Sequence, residues 1–256
     1  DYNAGLAVLV GPQTGCDQDP GSCVTNGLVG YWNMEEGSGT TIHDSSGYAN
    51  NATTSGTAPS WLKGKIGGAL SFDGSDDYMS VADSSSLDIT NAITMEAWVK
   101  PNTLSNDGLF YKGALGNTQG VYGMQLYLNP AAVYSVINGT AAITGQIIPT
   151  GAWSHIVGTY DGTVIKVYVN GAEKASTPYT GSINADNNQL LIGKYYSATD
   201  YEFDGLIDEA RIYNRALSAS EIRYHYNKGG PVGYLKFNEG SGSRSYNESG
   251  NGFSGT

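Results

Sequence analysis

Residues 93–100 read ITMEAWVK, and this stretch decides the fold class. Ile93, Met95, Ala97 and Val99 alternate with side chains of a different character. Successive side chains of a β-strand point to opposite faces, so this alternation predicts a strand with one face on an apolar core.

The same pattern recurs along the chain between tight turns. The sequence VIKVYV at residues 164–169 lies between Asp161-Gly162 and Asn170-Gly171, and Asn138-Gly139 marks another turn. Asp-Gly and Asn-Gly accept the positive φ angles that two-residue hairpin loops require. Roughly a dozen short strands are predicted between residues 27 and 227, which indicates two packed antiparallel sheets.

One helix is predicted near the end of these strands. Ser218 is followed three residues later by Glu221, which is the spacing of a capping box at a helix N-terminus. Ile222 and Tyr226 then share one helix face, and Gly229-Gly230 ends the helix.

The composition narrows the class of partner. Only 14% of the residues are charged, whereas Gly (36) and Tyr (19) are abundant, and the formal net charge is −11. A negative chain without a basic stripe argues against nucleic acid and against anionic lipid surfaces. The charge suits calcium, neutral sugars or solubility alone.

No apolar run reaches membrane-spanning length. The start of the chain has neither Met nor a basic segment, which predicts that a targeting segment has been removed.

Cys16 and Cys23 lie in a lead segment, residues 1–26, and flank an Asp-Pro-Gly turn. A disulfide between them is predicted, which fits an oxidising, extracellular location. A metal site is disfavoured because the segment has no His and two thiols do not complete a zinc site.

The chain contains an internal repeat. Residues 230–242, GPVGYLKFNEGSG, repeat residues 27–39, GLVGYWNMEEGSG. Similarity at this spacing predicts tandem domains. The interpretation is one domain over residues 27–229 and the truncated start of a second copy over 230–256. Neighbouring copies are possible partners through residues 1–26 or 230–256.

Motifs in order across residues 27–226 carry a family resemblance. They are Gly27-Leu-Val-Gly-Tyr-Trp, Ala69-Leu-Ser-Phe-Asp-Gly, Ile93-Thr-Met-Glu-Ala-Trp-Val-Lys-Pro, Trp153-Ser-His-Ile-Val-Gly-Thr-Tyr-Asp-Gly, Val167-Tyr-Val-Asn-Gly and Phe203-Asp-Gly-Leu-Ile-Asp-Glu-Ala-Arg. Together they resemble the laminin G-like jellyroll domains of the concanavalin A-like lectin/glucanase superfamily. The resemblance implies an all-β, two-sheet antiparallel jellyroll sandwich with adjacent first and last strands and one short C-terminal helix. It does not fix a ligand, because this fold hosts lectins, adhesins and enzymes.

The resemblance also implies a structural calcium ion. Asp44 lies in a Ser/Gly turn followed by Asn51, and adjacent first and last strands would bring both toward Asp208. Carboxylate, amide and main-chain oxygens are the ligands that calcium prefers. The alternative is that Asp44 only makes an Asx-turn and that Asp208 pairs with Arg211 or caps a strand end. The acidic loop 73–77 lacks EF-hand spacing and is interpreted as a solvated hairpin loop.

Two loops, residues 102–124 and 194–203, combine tyrosines with polar side chains, as sugar-binding sites do. The predicted ligand-binding residues are Tyr195, Tyr196, Asp200 and Tyr201 in the later loop and Tyr111 and Tyr122 in the earlier one. The alternative is that these rings shield sheet faces.

No catalytic residue is predicted. Glu96 and Glu209 each lie in a predicted strand with alternating apolar residues. Enzymes of the glucanase branch, however, carry two Glu with an Asp between them on one strand. This chain has no such run. The predicted function is a non-catalytic glycan-binding or adhesion module of a secreted or cell-surface repeat protein, with glycans or cell-surface polysaccharide as partners. The alternatives are a spacer in an extracellular filament or stalk and, third, a glycoside hydrolase or lyase.

Overall fold

The structure is a computed structural model, and it describes residues 25–55, 59–114, 121–128, 131–145, 148–195 and 201–227. Strands make up 50% of the described residues. The elements are β1 (Leu28–Trp32), β2 (Thr41–Ile42), β3 (Ala52–Ser55), β4 (Ser60–Lys63), β5 (Gly68–Asp73), β6 (Tyr78–Val81), β7 (Ile93–Pro101), β8 (Asp107–Lys112), β9 (Tyr122–Leu128), β10 (Ala131–Ile137), β11 (Thr140–Ile143), β12 (Ser154–Tyr160), β13 (Val164–Val169), β14 (Ala172–Pro178), β15 (Leu190–Ile192), β16 (Asp204–Tyr213) and the helix α1 (Ala219–Tyr226).

The strands form two antiparallel sheets, which confirms the predicted all-β sandwich. Sheet A has the order β14-β13-β12-β7-β16-β5-β4, and β1 also pairs with β16. Sheet B has the order β11-β10-β9-β8-β15-β6-β3-β2. Several strands that neighbour each other in a sheet, such as β7 and β16 or β8 and β15, are far apart in sequence, as in a jellyroll.

Sheet A is organised on β16, which has a different partner along each half of one edge. Asp204–Ile207 pair with β5, and Ala210–Tyr213 pair with β1, so the first and last strands are adjacent as expected. Between the halves, the register with β7 shifts between Asp208 and Arg211, and Glu209 has a φ angle of 56°. Positive φ is rare for a strand residue with a side chain, and this bulge re-aims the side chains around it.

The apolar core lies between the two sheets. Ile93, Met95, Ala97 and Val99 of β7 all belong to it and are at most 1% exposed, as their alternation predicts. Burying one such large aliphatic side chain stabilises the fold by about 1.5–3 kcal/mol. Trp98, on the opposite face of β7, is also buried, because helix α1 covers that face and the Tyr226 ring stacks on it.

Helix α1 begins as the capping box predicts. The Ser218 hydroxyl accepts from the Glu221 backbone N–H at 3.3 Å, and the Glu221 carboxylate accepts from the Ser218 backbone N–H at 2.8 Å. Ile222 packs with Leu217 and Tyr213 on the outer face of sheet A. The helix therefore seals a second, smaller apolar cluster outside the sandwich.

The predicted hairpin turns are confirmed. Asn138-Gly139 joins β10 to β11 with φ angles of 46° and 81°, and Asn170-Gly171 joins β13 to β14 with 51° and 76°. These paired positive angles match the right-handed twist of the strands. In the β12–β13 turn, the Asp161 carboxylate accepts from the backbone N–H groups of Thr163 and Val164, both at 2.8 Å.

Several predictions lie outside the described residues. They are the Cys16–Cys23 disulfide, the lead segment up to residue 24 and the repeated segment 230–256. Within the part of the chain that the structure covers, no helix has the length and apolar character needed to cross a membrane.

Candidate functional site

A buried ion network occupies the outer face of sheet A beneath helix α1. Arg211 and Glu96 are direct partners across β16 and β7, and the guanidinium donates to the Glu96 carboxylate at 3.1 Å. Arg211 also donates to Glu209, the residue at the bulge. The Tyr31 hydroxyl donates to Glu209 at 3.0 Å, and its ring lies 4.1 Å from the guanidinium carbon. We call Glu96, Glu209, Arg211 and Tyr31 the Arg211 network.

Electrostatic interactions within this network keep the Glu96 carboxylate charged. Burial raises the pKa of the Glu96 carboxyl, but the interactions with His225 and Arg211 outweigh burial and lower that pKa to about 2. His225 Nδ1 lies 2.9 Å from the Glu96 carboxylate. Burial lowers the pKa of Arg211, but Glu96 more than compensates and raises it above its ordinary value. Glu96 is therefore an ionised partner at neutral pH and not a proton donor.

A pocket of about 350 Å³ opens above the network. Its walls include Tyr31, Ile66, Trp98, Tyr224 and His225. A pair of glycosidase carboxylates must act on opposite sides of one bond. Here the Arg211 guanidinium binds the carboxylates of both Glu96 and Glu209, so the two acids share one counter-charge.

The structure brings two of the three predicted metal ligands together. Asp44 Oδ1 accepts from the backbone N–H of Tyr31 at 2.9 Å, and Oδ2 accepts from that of Asn50 at 2.9 Å. Both oxygens also bind Ser46, and Asn51 Oδ1 accepts from the Asp44 N–H at 2.9 Å. The Asx-type bonding that sequence offered as the alternative is thus present.

Asp208 is held by a different turn. Its Oδ2 accepts from the Ile66 backbone N–H at 2.9 Å, its Oδ1 is buried without a hydrogen bond, and Arg211 binds Glu96 and Glu209 instead of it. Burial raises the pKa of Asp208 to about 7. Among the contacts of the described residues, none joins Asp208 to Asp44, so a calcium site shared by them stays a prediction.

A different acidic cluster lies in the β5–β6 loop. One oxygen each from Asp73, Asp76 and Asp77 lies within 4.8 Å of the others, and this cluster could hold a metal ion. Asp77 is buried, and its carboxylate accepts from the Asp73 backbone N–H at 3.2 Å. The local signal was three carboxylates within five residues of a tight turn, which sequence reasoning had interpreted as a solvated loop.

The predicted ligand-binding tyrosines separate into two environments. Tyr111 and Tyr195 pack on each other at 4.7 Å between ring centroids, with Tyr201 against them on the outer face of sheet B. Gly123 makes room, because a Cβ there would lie 2.9 Å from the Tyr195 ring. Tyr122 instead points into the core, where its hydroxyl donates to the Leu87 carbonyl.

Burial corrects the expected role of three of these rings. Tyr111, Tyr122 and Tyr195 are 0%, 1% and 2% exposed, so they pack against protein and offer no open face to a sugar. This is the shielding that sequence left as the alternative. Tyr201 is partly buried, and Tyr196 and Asp200 lie outside the described residues.

Sequence reasoning missed a buried lysine at the rim of sheet B. The side chain of Lys112 is fully buried, and its ammonium lies 2.7 Å from Asp83, 3.4 Å from Asp88 and 3.6 Å from Asp186. It also donates to the Asn188 carbonyl at 2.7 Å. These oxygens come from distant loops, so no local spacing signals the cluster. The ammonium is an internal cation that ties the loops together.

Sequence reasoning also missed an exposed ring next to the Asp44 turn. Tyr48 is 54% exposed and borders a polar cleft of about 530 Å³ between its own loop and the loop that joins β6 to β7. We call this the Tyr48 cleft. A Tyr among Ser, Gly and Asn in a turn was the available signal, but turn composition alone does not show whether a ring is exposed.

The comparisons with known proteins confirm the resemblance. Residues 73–223 match the sequence profile of a laminin G-type family described as the concanavalin A-like lectin/glucanases superfamily. The Adhesion G-protein coupled receptor V1 of Danio rerio is 24% identical over 175 residues, which cover 60% of this chain and 3% of the receptor. The chain thus spans a very small part of that relative.

Solved structures share the fold. Domain 4 of AbnA, a GH43 extracellular arabinanase from Geobacillus stearothermophilus, in complex with arabinotriose, superposes with a TM-score of 0.63 at 26% identity, covering 77% of this chain and 96% of that domain. A Trypanosoma rangeli sialidase in complex with the inhibitor DANA gives a TM-score of 0.59 at 19% identity, covering 78% of this chain and 32% of the sialidase.

Proposed function

Because this chain belongs to the concanavalin A-like lectin/glucanase superfamily, we propose that it is a non-catalytic carbohydrate-binding or adhesion module of an extracellular or cell-surface protein. The observation that carries the non-catalytic part is the Arg211 network. Glu96 and Glu209 are both bound by one guanidinium, and the pKa of Glu96, lowered to about 2, leaves it without a proton to donate. A general acid needs a pKa near the working pH.

The binding part of the proposal is supported by the similarity to the AbnA domain. That domain is 26% identical, is covered over 96% of its length and was solved with arabinotriose. It makes a short neutral oligosaccharide the first ligand to test. AbnA is an extracellular arabinanase, which supports the proposed extracellular location of this chain.

Titration calorimetry and a hydrolysis assay on the same protein test this function. We expect arabinotriose or another oligosaccharide of a glycan array to bind, with no release of new reducing ends from arabinan. The variant Glu96→Gln should then bind sugar as the parent chain does, if it remains folded. Turnover of arabinan that disappears in Glu96→Gln would instead make this chain an enzyme.

Calcium is the cofactor we propose for the domain, and two sets of residues compete for it. Asp44 fits a shared site poorly, because backbone donors already occupy both of its oxygens, whereas Asp73, Asp76 and Asp77 present oxygens within 4.8 Å of one another. A ligand that binds only the folded state raises stability by about 2.7 kcal/mol at a hundredfold excess over its Kd. Chelator should therefore lower the Tm, and the response should vanish in Asp76→Ala if the loop is the site, or in Asp208→Ala if the predicted site is correct.

We also propose that the domain, residues 27–229, is one unit of a tandem array. The support is the repeat of residues 27–39 at residues 230–242. The alternative function, a spacer in a filament, shares this support. Deleting residues 231–256 separates the two: a module of independent domains keeps its oligomeric state in light scattering, whereas a filament subunit loses assembly.

A further inference from the structure

We infer that the Tyr48 cleft is the sugar site, and that it takes a neutral oligosaccharide. This inference rests on the proposed function and names the place and the ligand class. It starts from the loop of residues 44–50, which connects β2 to β3 and carries Tyr48 at its tip.

The loop is built to hold one conformation. The Asp44 carboxylate accepts from the backbone N–H of Ser46 at 2.8 Å and of Asn50 at 2.9 Å, so one side chain closes the loop at two points. Gly47 and Ala49 have φ angles of 95° and 60°. A positive φ is costly for Ala and persists only where surrounding contacts impose it.

The opposite wall is joined to this loop. The Asn50 amide donates to the Val29 carbonyl at 2.7 Å and to the Ser86 hydroxyl at 2.8 Å, which fixes the loop that carries Ser84–Ser86. On that same loop, Asp88 lies 3.4 Å from the buried Lys112 ammonium. Both walls are thus held in place before any ligand arrives, which lowers the entropy cost of binding.

The Tyr48 ring is the apolar element of the cleft. At 54% it is the most exposed of the large hydrophobic side chains in the described part of the chain. Tyr offers a large rigid surface with little conformational entropy to lose, and the apolar face of a pyranose or furanose ring can lie against it.

The remaining surface is polar and selects the ligand class. The lining includes the hydroxyl residues Ser84–Ser86 and Thr90, the amide residues Asn91 and Asn214, and Asp88. These groups donate to and accept from sugar hydroxyls. Among the described residues that line it, none is Lys or Arg, so the lining offers no cation to a carboxylate or phosphate. The volume of about 530 Å³ falls in the usual range of about 300–1,000 Å³ for ligand sites.

Calorimetry on the full chain with arabinotriose, cellotriose and sialyllactose tests the inference. The variants are Tyr48→Ala and Asn91→Ala in the cleft, and Leu62→Ala on β4 as a control, because Leu62 is similarly exposed at 51% but does not line the cleft. We expect a neutral trisaccharide to bind, at least tenfold weaker binding in both cleft variants, and unchanged binding in the control.

The alternative outcomes separate the two claims. If the parent chain binds none of the probes and no sugar of an array, the proposed function fails. If it binds a neutral sugar but both cleft variants bind equally well, the function stands and the site lies elsewhere. If sialyllactose binds more tightly than the neutral sugars, the ligand class is wrong. A Tm of Tyr48→Ala equal to that of the parent chain shows that lost binding is not lost folding.

Discussion

The Arg211 network and the loop that carries Tyr48 are linked through Tyr31, and they use acidic side chains in opposite ways. The Tyr31 hydroxyl donates to Glu209 in the network, while its backbone N–H donates to Asp44 in the loop below Tyr48. In the network, charged side chains satisfy one another away from water. In the loop, backbone N–H groups satisfy the carboxylate, and an aromatic ring is left facing solvent.

The difference separates stability from recognition. A buried charge whose partner is removed is left uncompensated, so the network should tolerate little change. An exposed side chain on a loop that other residues hold in place contributes little to folding and is free to contact a ligand. Each variant below tests one side of this comparison.

Removing the central cation should have the largest effect. Arg211→Met leaves the fully buried Glu96 without its cationic partner on β16, and breaking a buried ion pair costs about 3–5 kcal/mol. Urea unfolding measures this loss. Arg223→Met on helix α1 is the matched control, with an expected change of about 0.5 kcal/mol or less. Equal losses in the two variants would mean that the network does not stabilise the fold.

Lys112→Met should follow, with a loss of about 2–3 kcal/mol. The effect is smaller than for Arg211 because the side chains of Asp83, Asp88 and Asp186 keep 32%, 26% and 21% of their exposure and can still be hydrated. The same oxygens suit calcium, so millimolar calcium should restore part of the lost stability in the variant.

Two comparisons sharpen the Lys112 prediction. Lys166→Met removes an exposed lysine that pairs with Glu173 at 2.9 Å, and a surface pair of this kind is worth about 0–1 kcal/mol. If calcium raises the Tm of Lys112→Met no more than that of Lys166→Met, the Lys112 ammonium does not occupy a site that calcium can bind.

Asp208→Asn tests a buried carboxyl whose Oδ2 accepts from the Ile66 backbone N–H. Its pKa is raised from 3.8 to about 7 by burial, so the folded state holds a proton that the unfolded state releases. The contribution of this group to stability is therefore full below about pH 4 and is lost as the pH rises through 7.

A neutral Asn at position 208 should remove this pH dependence of the stability. We expect Asp208→Asn to stabilise the chain by about 1–2 kcal/mol at pH 8 and to change it little at pH 4.5. Urea midpoints at the two pH values measure the difference. If Asp208→Asn is destabilised equally at both pH values, the carboxyl matters for its hydrogen bond with Ile66, and its charge does not lower the stability of the folded state.

Tyr48→Ala should have the smallest effect on folding, within about 0.5 kcal/mol, because the ring is more than half exposed. Asp44→Ala is the informative partner, since it removes the acceptor of the loop's backbone N–H groups. If Tyr48→Ala destabilised the chain as much as Asp44→Ala does, the ring would be a packing element and the comparison with the Arg211 network would fail.

Much of the fold was predictable from local patterns. The alternation in residues 93–100, the Asn-Gly and Asp-Gly turns and the Ser218–Glu221 capping box each correspond to an observed element. These elements were predictable because strand alternation, hairpin turns and helix caps depend on residues only a few positions apart. The order of motifs also identified the superfamily.

The candidate sites were less predictable, and the tyrosines show why. Sequence marked Tyr111, Tyr122 and Tyr195 as ligand contacts, but a strand buries or exposes a ring according to what packs on that face, and the structure buries all three. Tyr48 lies in a turn like many others, and only the contact of Asn50 with Ser86, 36 residues away, turns that stretch into a wall of a cleft.

The amino-acid sequence by itself determined the strand content, the hairpins, the helix start and the family of this chain, because those depend on short-range geometry. The tertiary structure alone decided which charges meet. Arg211 reaches Glu96 across 115 residues because β7 and β16 are neighbours in sheet A, and Lys112 reaches Asp186 because β8 and β15 are neighbours in sheet B. Hydrogen bonds and ion pairs act over a few ångströms, so contacts between distant segments exist only once the sheet order has placed them side by side.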